Sequence, residues 1–317
     1  MASLWQAAAR FPPRLQFRTP FLMSILSIQS RVAYGHVGNS AAVFPLQRLG
    51  FDVWAVDTVA FSNHLGYPTW RGRTHPAEEV AEVVDGLRML GLFGKCRAVL
   101  SGYLGEPGTG AVVRETVERV RKANPQAIYL CDPVMGDRDG GMFVKPGVRE
   151  SFLEHLLPEA DIIVPNAFEL EALTGTDTTT LDGALSAADC LRDRLKRQRG
   201  RKGRDRAGTV VVCTGLLRRE GPPDKIGTLA VADEGAWLAT TPFMPMHVHG
   251  TGDTLAALLL GQLLKTGKLA TALGRAVAGL HAVIAATAAA DRYELALIEM
   301  QDAMVRPPLA VRPRRVR

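Results

Sequence analysis

Residues 250–260 read GTGDTLAALLL, two glycines and an aspartate that lead directly into an apolar run with helical character. Glycine lets backbone N–H groups approach an anion closely, and the N-terminus of a helix carries partial positive charge. Asp253 could simply cap this helix, which is a common role for an aspartate. Beside two glycines, the carboxylate is also placed to take a proton from a substrate hydroxyl. The stretch therefore predicts a site for phosphoryl transfer.

Two better-known phosphate motifs are absent. Lys95 follows a glycine, as in a P-loop, but Met89 stands where that loop needs its first glycine. The two Gly-Thr-Gly sequences lack the third glycine of a dinucleotide-binding turn, because Val113 and Leu255 stand at that position. Phosphate is therefore expected at the helix that starts near Asp253.

The rest of the chain alternates short apolar strands with longer helices, the pattern of a parallel sheet covered by helices. Strands are predicted at 25–28, 53–57, 98–100, 128–131, 162–164 and 210–213, with crossover helices at 77–90, 111–123 and 181–194. An antiparallel hairpin at 226–231 and 236–240 follows, and two apolar helices that begin at Asp253 and Leu269 complete the fold. One α/β domain over residues 23–307 is the prediction.

The charge is concentrated in one segment. The 317 residues are 47% apolar and 22% charged, which excludes a disordered chain, collagen or a small disulfide scaffold. The net charge is +6, and residues 192–206 alone hold nine Lys/Arg and two Asp. No aromatic residue interrupts this run, so a solvated basic loop at 196–207 is expected and nucleic-acid binding is not.

The ends of the chain and the cysteines carry no catalytic signal. Residues 1–22 hold three Arg, three Pro and no acid, which predicts a disordered extension or a misassigned start before Met23. Residues 308–317 are expected to be a tail. The four cysteines are far apart, which suits a reducing cytoplasm. The most apolar late segment, 276–290, is only 15 residues long, so no membrane span is expected.

Polar residues follow several predicted strands directly. Because the carboxyl ends of parallel strands meet at one edge of a sheet, these residues predict a single crevice there. They are Gln29-Ser30, Ser101-Gly102-Tyr103, Asp132-Pro133, Pro165-Asn166 and Thr214-Gly215. Strand-ending turns explain the glycines, serines and asparagines. Turns alone explain Asp132, Asp137 and Glu169 less well.

Several short sequences together resemble the pyridoxal kinases of the ribokinase-like superfamily, over about residues 23–307. They are SIQS at 27–30, GNSAA at 38–42, FSNH at 61–64, SGY at 101–103, CDPVMGD at 131–137, PN at 165–166 and GTGD at 250–253. The resemblance implies a three-layer α/β/α sandwich with a central, mostly parallel sheet. It also implies a homodimer that transfers the ATP γ-phosphoryl group to the 5′-hydroxymethyl group of a B6 vitamer with Mg²⁺. A requirement for a monovalent cation stays open.

The same resemblance implies roles for individual residues on the substrate side. Asp253 would be the general base, and the N–H groups of Gly250, Thr251 and Gly252 would stabilise the transferred phosphoryl group. The vitamer would lie among Ser30, which reaches the pyridine nitrogen, and Val37, Phe61, His64, Leu65, Gly66 and Tyr103. Ordinary alternatives stay open: core packing for Phe61 and Val37, a hydrogen-bonded loop histidine for His64, and a tyrosine packed under a neighbouring loop for Tyr103.

On the nucleotide side, the resemblance implies contacts with ATP and with Mg²⁺. Asp132, Asp137 and Glu169 would hold the metal, mostly through water. ATP would lie against Asp132, Val164, Asn166, Glu169 and Thr214, under a flap formed by Thr241, Pro242, Phe243 and Met244. Oxygen ligands of this kind suit magnesium.

Three departures from the family pattern bear on specificity. Leu65 stands where the family commonly has a threonine that contacts the substrate, and Val164 stands where some relatives carry threonine near the metal. Residues 236–252 contain no Lys or Arg, although relatives often place a cation over the phosphates. His247 and His249 lie in this segment, and whether either substitutes stays open.

Two other functions remain possible from the sequence. A kinase for hydroxymethylpyrimidine or a sugar would share the GTGD turn, but a sugar site would need several Asp or Asn side chains in the N-terminal half. A non-catalytic B6-binding protein would not need Asp253.

Overall fold

The structure is a computed structural model and describes residues 23–201, 208–217 and 225–317. The predicted extension at 1–22 and residues 202–207 of the predicted basic loop lie outside the described residues.

The described residues form one large sheet and a small hairpin. In chain order the strands are β1 (Ser24–Val32), β2 (Asp52–Phe61), β3 (Gly72–Thr74), β4 (Cys96–Ser101), β5 (Ile128–Cys131), β6 (Gly136–Asp137), β7 (Gly141–Met142), β8 (Ile162–Ile163), β9 (Val210–Leu217), β10 (Lys225–Ala232), β11 (Gly235–Pro242) and β12 (Arg314–Arg315). The sheet order is β12-β11-β10-β9-β8-β5-β4-β1-β2-β3, and β6 pairs with β7 alone. The central strands β2, β1, β4, β5, β8 and β9 are parallel, as predicted.

Helices cover both faces of the sheet. They are α1 (Asn39–Arg48), α2 (Ala77–Met89), α3 (Gly108–Ala123), α4 (Val148–Ser151), α5 (Ala167–Thr174), α6 (Leu181–Arg201), α7 (Thr251–Thr266), α8 (Leu269–Ala289) and α9 (Gln301–Val305). Short 3-10 turns at Leu92–Lys95 and Leu157–Glu159 and a π turn at Phe152–Leu156 complete the described elements.

Alternation along the strands creates the three layers. Side chains of successive strand residues point to opposite faces of a sheet. In β1, Leu26 and Ile28 join the buried cluster of α2, α3, α5 and α6, whereas Ile25 joins that of α1, α7 and α8. The predicted three-layer α/β/α sandwich with a mostly parallel sheet is therefore confirmed.

Two predictions about the charged segments are wrong in part. Helix α6 continues to Arg201, so residues 196–201 of the predicted basic loop are helical. Arg, Lys and Gln are good helix formers, which accounts for the extension. The predicted tail at 308–317 ends in β12, where Arg315 pairs with Trp237 and Arg314 with Leu238.

Helix α8 is longer than the apolar segment seen in the sequence. It has 21 residues and is, among the described residues, the one helix long and apolar enough to cross a membrane by length and composition. Just over half of its most apolar window is buried inside the protein. Helix α8 packs against α7 in the core, and this packing accounts for its composition.

We expect deletion of residues 313–317 to lower the free energy of unfolding by about 1–2 kcal/mol, measured by urea denaturation. The deletion removes β12, the backbone hydrogen bonds that Val316 and Arg317 make with Ala236, and the ion pair between Arg317 and Asp189. Arg317→Ala removes only the ion pair and should cost less than about 1 kcal/mol. A truncated chain as stable as the full chain would show that β12 adds nothing.

Candidate active site

A cavity of about 490 Å³ opens at the carboxyl ends of the parallel strands. Ser30 of β1, Asp132 after β5 and Thr214 of β9 line it, as the crevice prediction requires. The other predicted residues that line it are Val37, Phe61, His64, Leu65, Gly66, Tyr103, Asp137, Val164, Asn166, Glu169, Gly250, Thr251, Gly252 and Asp253. Six of the seven quoted sequences thus contribute residues to one cavity, and GNSAA at 38–42 does not line it.

The predicted flap does not join them. Thr241 and Pro242 end β11, and neither they nor Phe243 and Met244 line the cavity. Cavity residues that the sequence did not assign to the site are Val32, Val59, Val134, Gly136, Gly140, Phe143 and Val248, and His249, whose role the sequence left open, also lines the cavity. Val134 and Gly136 lie inside the CDPVMGD sequence, which was the available signal for them.

The N-terminus of α7 forms an anion-binding turn. Its N-cap is Gly250, which has φ +82° and offers no side chain to the first turn. A Cβ on Gly250 would lie 1.7 Å from the carbonyl oxygen of His36, so only glycine fits there. The first N–H groups of a helix have no partner within the helix. In α7 those of Thr251 and Gly252 therefore stay available to an anion in the cavity.

Asp253 lies in the first turn of α7, three residues after the N-cap, so it is not the capping residue that the sequence allowed. Its side chain is partly exposed, at the cavity wall. Burial raises the pKa of the Asp253 carboxyl, and hydrogen bonds from the N–H groups of Gly38 and of Asp253 itself partly oppose this. A carboxylate with a raised pKa is a stronger proton acceptor than one in water.

Asp132 is buried beside this turn, and one of its carboxylate oxygens lacks a hydrogen-bond partner among the described residues. It is 4% exposed, and its Oδ2 atom makes no hydrogen bond among the described residues. A Cβ on Gly252 would lie 3.8 Å from that oxygen, which places it close to the anion-binding turn. Burial and the neighbouring charges of Glu169 and Asp253 raise the pKa of Asp132 well above its usual value. An unsatisfied buried oxygen of this kind fits a cation ligand.

Glu169 is already engaged by the backbone. Its Oε2 accepts from the N–H of Asn166 at 2.9 Å, while Asn166 Oδ1 accepts from the N–H of Glu169 at 2.9 Å, so the two residues form the capping box of α5. Oε1 accepts from the N–H of Met135 at 2.9 Å. Burial raises the pKa of Glu169 to about 8, although these N–H groups lower it. Glu169 therefore fixes the start of α5 within the cavity wall.

The carboxylates do not form a closed metal cage. Within the described ranges, no group of three or more His, Cys, Asp or Glu side chains could hold a metal ion. Asp137 Oδ1 accepts from the N–H groups of Asp139 at 3.0 Å and Gly140 at 2.5 Å. Asp132 therefore fits Mg²⁺ best, and the ion would keep water or phosphate oxygens as its remaining ligands.

The opposite side of the cavity is apolar and aromatic. Val32, Val59 and Phe61 form a small buried cluster against which Val37 and Tyr103 pack. Phe61 also contacts Trp70, with ring centroids 4.5 Å apart. The core and cavity interpretations of Phe61 and Val37 are therefore compatible, because both residues belong to the cluster and line the cavity. Leu65 lines the same region and is 39% exposed.

His64 is a hydrogen-bonded loop histidine that also reaches the cavity. Its Nε2 lies 3.1 Å from Glu294 Oε1, and the N–H of Gly66 donates to its Nδ1 at 3.2 Å. The ring of His249 lies against it, with centroids 4.2 Å apart. Burial and the neighbouring His64 lower the pKa of His249, so its ring is neutral at pH 7. His249 therefore does not supply the missing cation.

The fold and the cavity define a small-molecule kinase: an α/β/α sandwich with an anion-binding helix start, a carboxylate at that start and a flat apolar pocket facing it. The family model for phosphomethylpyrimidine kinase matches residues 94–296. Pyridoxal kinase PdxY of Rubrobacter xylanophilus is 48% identical over 93% of this chain and 98% of its own length. Its counterpart in Deinococcus radiodurans is 47% identical over 91% and 95%.

A solved structure of a pyridoxal kinase is also similar to this chain. Pyridoxal kinase from Leishmania donovani in complex with ADP and pyridoxine superposes with a TM-score of 0.83 and 32% identity, covering 93% of this chain and 99% of that one. The chain belongs to the pyridoxal kinase family.

We expect Asp132→Asn to stabilise the ligand-free protein by roughly 1–3 kcal/mol at pH 8, and by less at pH 5. A raised pKa means that the folded state favours the protonated acid, so wild type loses stability as the pH rises above the unfolded-state value of about 4. Asparagine cannot ionise, so the variant does not lose stability in this way as the pH rises. Urea denaturation in EDTA at both pH values measures the difference.

The control for this substitution is Asp182→Asn, at an exposed aspartate in the first turn of α6. Its effect should be small and equal at the two pH values. A less stable Asp132→Asn protein at pH 8 would contradict the electrostatic argument.

Proposed function

We propose that this chain is an ATP-dependent pyridoxal kinase that phosphorylates the 5′-hydroxymethyl group of a B6 vitamer. The observation that carries the proposal is the single cavity in which Asp253, the anion-binding turn of α7 and the flat apolar pocket face one another. The relatives named pyridoxal kinase, at 47–48% identity over nearly their full length, support the choice of substrate.

In the proposed reaction, Asp253 removes the proton from the 5′-hydroxyl group. That oxygen forms a bond to the γ-phosphorus of ATP, and the bond from the γ-phosphorus to the bridging oxygen breaks, so that ADP leaves with the electron pair. Charge on the transferred phosphoryl group meets the N–H groups of Gly250, Thr251 and Gly252. The product carboxylic acid at Asp253 then returns its proton to water.

The pocket is suited to a flat ring with few polar groups. Val37, Phe61 and Tyr103 supply its apolar walls, and Ser30 supplies a hydroxyl at the end of β1 for the ring nitrogen. His64 has both ring nitrogens engaged by the protein, so it acts as a wall of the pocket.

Mg²⁺ would be held chiefly by Asp132, with Asp137 and Glu169 acting through water, and would neutralise charge on the phosphates when bound. Asn166, Thr214 and Val164 would contact the nucleotide from the ends of β8 and β9. The same proposal includes the Thr241–Met244 segment as a flap over ATP, a monovalent cation and a homodimer. Light scattering and assays with and without K⁺ test the last two. A cytoplasmic location is supported by four free cysteines, three of them buried.

We expect Asp253→Asn to lower kcat about 10²- to 10⁴-fold while Mg²⁺–ATP still binds, because the amide cannot accept the proton. Pyridoxal phosphate formation and nucleotide titration measure the two effects. The matched control is again Asp182→Asn, which changes an aspartate in the first turn of another helix and outside the cavity. Substantial residual turnover in Asp253→Asn would refute the base assignment.

A substrate panel separates the rival functions. The family model's description, phosphomethylpyrimidine kinase, favours hydroxymethylpyrimidine as the second candidate. ADP release is measured with pyridoxal, pyridoxine, pyridoxamine, hydroxymethylpyrimidine and ribose. Higher kcat/KM with the pyrimidine than with every B6 form would replace the proposal, and B6 binding without ADP release would favour a non-catalytic binding protein.

We expect Leu65→Thr to raise kcat/KM for at least one B6 form by about 2- to 12-fold, because a threonine hydroxyl adds one hydrogen bond in the pocket. Leu65 lines the cavity and has room to present that hydroxyl. Leu90→Thr is the matched control, since Leu90 is 74% exposed at the end of α2 and outside the cavity. An unchanged specificity profile would show that position 65 does not face the ligand.

A further inference from the structure

One buried carboxylate next to the cavity has no role in the chemistry above. Glu294 lies between α8 and α9, is 6% exposed and does not line the cavity. Its Oε2 accepts from the N–H of His36 at 2.9 Å, and its Oε1 accepts from the hydroxyl of Tyr67 at 2.8 Å. His64 Nε2 lies 3.1 Å from the same Oε1. Three groups from two different loops thus converge on one carboxylate.

The hydrogen bonds around His64 fix its tautomer. The N–H of Gly66 donates to Nδ1, so Nδ1 is the unprotonated nitrogen and the proton lies on Nε2, facing Glu294. Burial raises the pKa of Glu294, but the hydrogen bonds from His64, Tyr67 and His36 lower it by more. The carboxylate is therefore charged at pH 7 and accepts all three bonds. Hydrogen bonds to a charged group are the strong ones.

The first of the two loops leads to the general base. A Cβ on Gly35, which has φ +92°, would lie 2.6 Å from the carboxylate of Glu294, so glycine is required for this approach. The next residue, His36, places its carbonyl oxygen against Gly250. Two residues further on, the N–H of Gly38 hydrogen-bonds the carboxylate of Asp253. Glu294 thus holds a loop that touches both the anion-binding turn and Asp253.

The second loop forms one wall of the ring pocket. His64, Leu65 and Gly66 line the cavity directly after Phe61. The rings of Tyr67 and His249 lie against His64, with centroids 4.6 and 4.2 Å away. His64 is therefore fixed on its edge by Glu294 and on its faces by rings.

We propose that Glu294 is a positioning residue. It holds the ring-pocket wall at His64 and the loop 35–38 at fixed positions relative to Asp253. The inference rests on the proposed function, because it concerns how the vitamer is held for transfer. The nucleotide side of the cavity, at Asp132 and Thr214, makes no hydrogen bond or ion pair with Glu294 in the part of the chain described. Loss of the carboxylate should accordingly affect the vitamer and spare ATP.

The test is Glu294→Gln, which keeps the shape but places an NH₂ group against donors. We expect kcat/KM for the preferred B6 form to fall roughly ten- to hundredfold, with KM for ATP within about twofold of wild type. Glu294→Asp keeps the charge and should restore part of the loss. Glu299→Gln is the matched control, since Glu299 lies in the same segment, is exposed and pairs with Arg292.

A double variant separates positioning from general destabilisation. Tyr67→Phe removes one donor and should lower vitamer kcat/KM by a few-fold on its own, but add little in the Glu294→Gln background. Additive losses, or equal losses toward vitamer and ATP, would overturn the proposal. If Glu294→Gln does not fold, Tyr67→Phe and Glu294→Asp decide the question, and vitamer kcat/KM within twofold of wild type in both overturns it. A wild-type enzyme inactive on every B6 form would refute the proposed function instead.

Discussion

Like charges converge on the N-terminus of α7, and this repulsion governs the rest of the site. Burial is the largest cause of the raised pKa values of Asp132, Glu169 and Asp253, because a carboxylate without water or a partner is costly. The charges of Glu169 and Asp253 raise the pKa of Asp132 further, and the charge of Asp253 raises that of Glu169. Hydrogen bonds from backbone N–H groups relieve Glu169 and Asp253, but Asp132 Oδ2 has no such partner among the described residues. One carboxylate oxygen in the site thus has no hydrogen-bond donor, and the proposed Mg²⁺ would bind there.

The fold keeps these charges together by burying what surrounds them. Residues Thr254–Gln262 of α7 are buried without interruption, so the helix that carries Asp253 cannot shift without disturbing the core. The strands alternate apolar side chains between two buried clusters and place polar residues such as Ser30 and Asp132 at or just after their carboxyl ends. The like charges are therefore kept together by apolar packing, which is non-directional, and oriented by backbone hydrogen bonds, which are directional.

Local patterns predicted the elements and residues that carry local signals. The parallel strands, the hairpin β10–β11 and the start of α7 follow from apolar runs and glycines. Strand β12 did not, because two arginines form no apolar run, and α6 extends into a charged stretch whose residues tolerate a helix. Glu294 and Tyr67 also escaped prediction. Glu294 meets His64 across 230 positions of sequence, and a single glutamate between two helices gives no pattern that could indicate such a contact.

The distribution of charge in the cavity explains how phosphates can bind where three acids meet. Among the described residues that line it, none is Lys or Arg, and burial keeps His249 neutral. Among the described residues, the N-terminus of α7 is then the source of positive charge in the cavity, and the Mg²⁺ proposed at Asp132 would add to it. A nucleotide without a divalent cation would bring its negative charge against Asp132, Glu169 and Asp253. The proposed metal and the nucleotide would therefore bind this cavity as one coupled event.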